Sequence, residues 1–396
     1  MTLALTGIKI LEVARYGIVS YCNMILGDAG AEVIKIEQPP ADDSGSIITA
    51  SPVSGDERTA AYYALNRNKK SIAINLNSKE GKEIFYKLAE RSDVIVEGFK
   101  PGVMKRLGVG YEKINEINPR IIYCSISGYG QDGPYRDMPG HDINYISIAG
   151  LLGLIGDRGG HPVIPLNIGA DWAGGGLHAT IGILIALMAR ERTGKGQYID
   201  ISMTDGTISL LTNMASWYFL TGKVPKRGET LIGGAFPYYG VYETKDGKFL
   251  SIGCVEPKFW ENLCRALGRE DIIPFQFAKG EKREEVLFSL RQTFLTKTRK
   301  EWVDLLKSEE TCIAPIYDFD EFSSDPHVLH RKMVVEIDHP TEGKVKQIGC
   351  AIKLSDTPAV IRNLAPTLGQ NTDEELQCLG YTVDKIKELR QTGIIM

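Results

Sequence analysis

The sequence predicts an α/β protein: a large Rossmann-like domain built on a parallel sheet, with a smaller α+β domain beside it. Three observations predict it. Short β-branched runs alternate with longer helical patterns through the first half of the chain, and the strand-like runs are rich in Ile and Val. A length of 396 residues also exceeds what one hydrophobic core usually serves. Alternating strands and helices with Ile- and Val-rich strands imply a sheet covered by helices.

Taken in order, residues 8–13 read as a strand and 20–27 as a helix that stops at the turn Gly27-Asp28-Ala29-Gly30. Residues 32–37 form a second strand, 79–92 carry apolar positions at helical spacing, and 93–97 and 120–127 return to strand. The first turn, around Arg15-Tyr16-Gly17, has no GxGxxG, so the dinucleotide fingerprint is absent and a tight βα turn is expected there. A long apolar helix over 175–192 ends in the basic, glycine-containing stop at Gly194, followed by a strand at 197–203 and a helix at 205–220. Residues 236–255 read as a β-hairpin around Lys245-Asp246-Gly247-Lys248, because Asp-Gly is a strong turn signal. Helical patterns then run over 257–309. The expected domains are therefore 1–204 (completed by 330–396), a linker helix at 205–224, a small domain at 225–320 and a return linker at 321–345, with Pro326, Pro340 and Pro358 in loops.

Composition excludes several function classes. Net charge is −4 and the basic residues are dispersed, whereas nucleic-acid binding needs a concentrated basic face. No stretch reaches the roughly 18 consecutive apolar residues of a membrane span, and the first residues lack the basic flank and cleavage site of a secretory signal. The seven cysteines are far apart and form no CxxC pair, as expected of reduced core thiols in a cytoplasmic protein. The six histidines show no HxH or HExxH spacing, so no metal site is expected.

Three segments place polar residues where packing would not ask for them: Pro139-Gly-His-Asp-Ile-Asn-Tyr145, Pro165-Leu-Asn through Gly174-Gly-Gly176, and Gly253-Cys-Val-Glu-Pro-Lys258. Each sets an ionisable side chain at a helix N-terminus, where main-chain amides are free and the dipole favours negative charge. Taken one at a time, Asp142 and Asp171 read as helix caps, His141 as a satisfied structural histidine and Glu256 as an exposed first-turn acid. As a set they match one reaction. Removing the α-proton of an acyl thioester needs a base, and returning a proton to the opposite face needs a second. Histidine is poised near neutral pH, and a carboxylate serves when its surroundings adjust its pKa. The glycines that follow Asp171 suit either close approach of a ligand or tight helix packing.

These same residues resemble the active-site signatures of the α-methylacyl-CoA racemase branch of the family III CoA-transferases (CaiB/BaiF type). The wider likeness covers nearly the whole chain, through Leu26-Gly-Asp-Ala-Gly-Ala-Glu-Val-Ile-Lys-Ile-Glu37, Asn66-Arg-Asn-Lys-Lys-Ser71, Glu97-Gly-Phe-Lys-Pro-Gly102 and Thr193-Gly-Lys-Gly-Gln197. The resemblance implies that His141 and Asp171 are the two α-proton acid/base groups, that Glu256 pairs with His141, and that the Asp142 amide helps hold an enolate oxygen. It implies coenzyme A along the large domain, at Gln38, Ile74, Leu76, Glu97, Phe99 and Val103, with Arg106 on the phosphates; read by itself, Arg106 is a residue of a solvated helix face. It also implies an interlocked homodimer and no cofactor beyond the coenzyme A of the substrate. Gln38 stands where racemases often carry a basic residue, and the loop from Gln38 to Thr59 is longer than in short racemases. In the transferase branch the residue matching Asp171 is a nucleophile that forms an anhydride and then an aspartyl-CoA thioester. A third class, a CoA-binding protein, would bind acyl-CoA with neither exchange nor transfer.

Overall fold

The computed structural model describes residues 2–14, 17–39, 57–339 and 343–396. The turn at Arg15 and Tyr16, most of the loop after Gln38 and Pro340 lie outside the described residues. The chain divides into two compact units: 1–149 with 166–210 and 329–396, and 150–165 with 211–328. Residues 150–165 thus belong to the second unit, where the sequence suggested the first, and the division falls inside the expected linker helix, at 210/211.

The first unit is built on six parallel strands. In chain order its elements are β1 (Lys9–Val13), α1 (Ile18–Asp28), β2 (Glu32–Glu37), β3 (Lys69–Ala73), α2 (Lys79–Glu90), β4 (Val94–Glu97) and β5 (Ile122–Ser127). There follow α3 (Asp142–Ile148), a π-helix (Ile168–Leu177), α4 (His178–Thr193), β6 (Gln197–Ser202) and α5 (Met203–Leu210). The strand order β3-β2-β1-β4-β5-β6 reverses direction between β1 and β4. In open α/β sheets ligands bind outside the carboxyl ends of the strands at such a reversal.

Apolar side chains of β1 to β5 are almost fully buried, and Phe85, Leu88 and Ile84 of α2 pack on one face. On the α1 side the core carries an ion triad instead. Glu12 bonds Lys35 Nζ at 2.9 Å and Lys69 Nζ at 2.6 Å, with Ser20 and Asn23 of α1 completing its shell. Burial opposes ionisation of Glu12, but the two ammonium groups hold its carboxyl well below the usual range. Removing either lysine would leave a buried charge short of a partner, which typically costs about 3–5 kcal/mol.

The second unit contains its own antiparallel sheet: β7 (Tyr239–Glu243), β8 (Phe249–Gly253) and β9 (Ile313–Ile316). The hairpin between β7 and β8 turns at Gly247, φ 70°, and closes with the Thr244 amide on the Lys248 carbonyl at 2.8 Å. Helices α6 (Pro257–Ala266), α7 (Gly280–Phe294) and α8 (Arg299–Leu306) bury Trp260, Leu290, Phe294 and Trp302 against it. Pro274 sits in a short 3₁₀ segment, Glu270–Phe275, that interrupts the helical pattern.

The returning chain rejoins the first unit. A hairpin of β10 (Val334–His339) and β11 (Gly343–Ile348) occupies what the sequence suggested was a linker. It is anchored by Arg67, which grips Asp28 through two nitrogens at 3.1 and 2.7 Å and also reaches the Ile348 carbonyl. Helices α9 (Thr372–Cys378) and α10 (Val383–Gln391) finish the unit. All seven cysteines are free; four are buried, but Cys312 and Cys350 are half-buried and Cys378 is exposed, so core burial does not hold for all of them.

Among the described residues one helix, 168–193, is long and apolar enough to cross a membrane by length and composition. It contains Asp171, and Ala179, Ile183 and Ala186 are buried inside the first unit.

Candidate active site

The site begins where β5 ends. The loop from Gly128 to His141 closes around Tyr145, whose hydroxyl donates to the Gly140 carbonyl at 2.6 Å. A Cβ on Gly128 or Gly140 would lie 2.3 or 2.7 Å from that ring, so glycine is required at both positions. His141 caps α3 in an extended conformation, its amide donating to Asn144 Oδ1 at 3.0 Å, and its imidazole side is exposed.

Asp142 follows, buried at the first turn of α3. Its Oδ1 accepts the main-chain amides of Ala170 at 2.7 Å and Asp171 at 2.8 Å. One carboxylate therefore satisfies two amides at the start of the π-helix while belonging to the residue after His141. Asp142 Oδ2 is buried and has no hydrogen-bond partner among the described residues.

Asp171 is half-buried in the first turn of the π-helix, a form that is rare and frequent at functional sites. Asn167 holds its carboxylate: Nδ2 donates to Asp171 Oδ2 at 3.1 Å, while Asn167 Oδ1 accepts from Trp172 Nε1 at 3.1 Å. The Trp172 ring packs edge-on against Tyr21 of α1 with centroids 4.9 Å apart. Leu166, just before Asn167, adopts φ 60°, an uncommon backbone state for a residue with a side chain. The carboxyl of Asp171 is raised above its ordinary range by burial and by the neighbouring Asp142 charge. The Asn167 hydrogen bond, and to a lesser degree the His141 charge, oppose that rise.

The glycines after Asp171 serve packing. A Cβ on Gly174, Gly175 or Gly176 would lie 2.5 Å from the Met203 carbonyl oxygen, 2.9 Å from Ile18 or 2.8 Å from Tyr21. These residues let α5 and α1 approach the π-helix closely.

Of the positions expected along coenzyme A, several gather at the carboxyl ends of the strands. Gln38 is exposed just beyond β2. Glu97, at the end of β4, is buried, and its Oε2 accepts the Phe99 amide at 2.8 Å. Burial pushes its carboxyl up to about 7. Val103 and Arg106 lie on the short helix Val103–Leu107 that follows, Val103 half-buried and Arg106 exposed. Phe99 packs against the core, while Ile74 and Leu76 are core residues, 1% and 7% exposed, with little side-chain surface to offer a ligand. Glu256 belongs to the second unit, where it is exposed and caps α6 ahead of Pro257. Among the described residues no group of three or more His, Cys, Asp or Glu side chains is arranged to hold a metal.

Sequence reasoning gave no role to Asn167 or Tyr145. The signal for Asn167 was its spacing from Asp171, since amide and carboxylate side chains four apart meet on a helix.

The sequence profile of CoA-transferase family III matches residues 5–372. The chain belongs to that family. It is 34% identical to the α-methylacyl-CoA racemase of Homo sapiens, over 99% of this chain and 98% of the racemase. It is 35% identical to the succinyl-CoA:glutarate CoA-transferase of Homo sapiens, over 99% of this chain and 90% of that protein. Among solved structures, a CAIB/BAIF family protein from Brucella suis superimposes with a TM-score of 0.82 at 30% identity, covering 96% of this chain and all of that one, 100%. Racemases and CoA-transferases are both enzymes, and this family III member is one too.

Proposed function

We propose that this enzyme inverts the α-carbon of 2-methylacyl-CoA thioesters through an enolate. The observation that carries the reading is the Asp142 bridge, whose carboxylate binds the Asp171 amide from the residue next to His141. Either His141 or Asp171 takes the α-proton, and the other returns one to the opposite face. General acid–base catalysis of this kind contributes about 10²–10⁴-fold. The raised pKa of Asp171 makes its carboxylate a stronger base than an ordinary aspartate. The Asp142 amide donates to the enolate oxygen, and such a donor is typically worth about 3–4 kcal/mol.

The coenzyme A of the substrate is the sole cofactor, and no metal or redox group takes part. The working form is an interlocked homodimer, an assignment supported by the exposed Ile181, Leu184, Ile185 and Met188 at helical spacing along one face of α4. The enzyme acts in cytoplasmic lipid metabolism, with neither nucleic acid nor membrane as a partner.

A second reading is CoA transfer, favoured by the equal likeness to a CoA-transferase. There the Asp171 carboxylate attacks the thioester carbonyl and expels the CoA thiolate, forming a mixed anhydride. The thiolate then attacks the aspartyl carbonyl and expels the first carboxylate, leaving an aspartyl-CoA thioester that the acceptor carboxylate resolves by the same steps in reverse. The deciding experiment incubates the protein with a 2-methylacyl-CoA in deuterated water, with and without a free carboxylic acid. Deuterium at the α-carbon without an acceptor supports racemisation. New acyl-CoA that forms only with the added acid supports transfer and overturns the first reading. Binding with neither outcome would leave a CoA-binding protein.

A further inference from the structure

Arg136 lies in the loop that carries the chain from β5 to His141. Its Nε donates to the Gln131 carbonyl at 2.8 Å, which fixes the plane of the guanidinium. Its Nη1 stands 3.5 Å from Asp137 Oδ1, a loose and partly exposed ion pair. Its Nη2 reaches another loop. Arg136 Nη2 and Arg106 Nη1 each lie 3.4 Å from the point that a Cβ on Gly102 would occupy. Gly102 has φ 81° and carries no side chain that would come between the two cations.

The placement is physically demanding. The Arg106 guanidinium makes no hydrogen bond or ion pair among the described residues. Two cations brought toward one point repel, and an anion between them reverses the sign of the interaction. Planar guanidinium groups match the oxygens of a phosphate and bind them through paired, charge-assisted hydrogen bonds. The two arginines come from the segments that follow β4 and β5, beside the reversal of strand order where a ligand is expected.

The geometry points to a two-arginine cradle, Arg106 with Arg136 across Gly102, that takes a phosphate of coenzyme A. Arg136 is the new member, and the inference rests on the acyl-CoA reading of this enzyme. Because the Arg136 loop runs directly into His141, anchoring the phosphate also fixes one end of the ligand relative to the base.

The test is calorimetric titration of the full chain with coenzyme A, 3′-dephospho-CoA and pantetheine. Arg136→Ala should weaken coenzyme A binding about tenfold to hundredfold, as loss of a charge-assisted contact does, and leave pantetheine binding unmoved. Arg136→Lys should recover part of the loss, since it keeps the charge without the fork. A deficit that disappears with 3′-dephospho-CoA places the 3′-phosphate in the cradle, and one that persists places the diphosphate there. Coenzyme A affinity unchanged in Arg136→Ala, or an equal loss for pantetheine, overturns the cradle. A wild-type protein that binds no coenzyme A removes the acyl-CoA reading itself, a result distinct from an unaffected variant.

Discussion

Asp142 holds Asp171 by the main chain: its Oδ1 accepts the Asp171 amide at 2.8 Å and the Ala170 amide at 2.7 Å. Because Asp142 directly follows His141, this carboxylate ties the start of the π-helix to the segment that carries the proposed base. Replacing Asp142 with alanine strands two amides at the start of the π-helix, and each buried unsatisfied group costs about 1–3 kcal/mol. The variant should unfold at lower denaturant and exchange the substrate α-proton far more slowly. Asp142→Asn retains an acceptor oxygen and should recover most of the stability. Equal stability of all three proteins in urea titrations would show that the bridge does not matter.

His141 and Asp171 should fail differently. His141→Ala is expected to reduce α-proton exchange by at least about 10²-fold while coenzyme A affinity stays near wild type. Asp171→Ala should remove exchange and transfer alike. A fully active Asp171→Ala protein, measured by deuterium incorporation and by acyl transfer, would exclude this carboxylate from both mechanisms.

Asn167 supports the ionised form of Asp171 through the 3.1 Å hydrogen bond. A donor to a carboxylate lowers its pKa, so Asn167→Ala should raise the pKa of Asp171 further. The acid limb of the pH profile of kcat/KM should then move to higher pH. A profile that keeps its midpoint while kcat falls would instead indicate a purely structural contribution from Asn167.

Gly206 of α5 faces the π-helix at close range: a Cβ there would stand 2.1 Å from the Gly174 carbonyl oxygen. Backbone on both sides leaves nothing flexible to yield. Gly206→Ala should therefore destabilise the protein by about 1–3 kcal/mol or more through overpacking, with loss of activity as the π-helix shifts. An unchanged midpoint of thermal unfolding would contradict that contact.

How far the sequence revealed this arrangement depended on where each signal resides. The parallel sheet was legible because Ile and Val recur through β1, β2, β4 and β5, and the His141 and Asp171 segments because they sit in motifs ahead of helices. β3 was hidden by its opening Lys69-Lys70, whose charges are met by Glu12, Glu374 and Glu375 from distant parts of the chain. The β10–β11 hairpin alternates exposed and half-buried positions and lacks an apolar face strong enough to register as a strand pair. Nothing local indicated that the helix begins at Ile168 as a π-helix, because its glycines reduce helical propensity and act through packing on α1 and α5. Arg136 escaped notice because its significance lies in its distance from Gly102, a relation between two loops.

Glu97 offers a test of the strand-end environment through pH. Its carboxyl is raised from 4.5 to about 7, chiefly by burial, and further by Asp200, against the opposing hydrogen bonds from Ser125 and the Phe99 amide. The folded protein therefore binds this proton more tightly than the unfolded chain does. Stability falls as pH rises from 4.5 toward about 7, and the full loss is present above that window. Glu97→Gln keeps an acceptor for the Phe99 amide and cannot ionise, so it lacks this term. Relative to wild type it should gain about 3 kcal/mol on passing from pH 4 to pH 8, with most of the change inside the window. Urea titrations of both proteins at several pH values measure the difference directly. A constant difference across the range would mean that the Glu97 carboxyl is ionised in the folded state with an ordinary pKa, and that the carboxyl end of β4 is wetter than its burial implies.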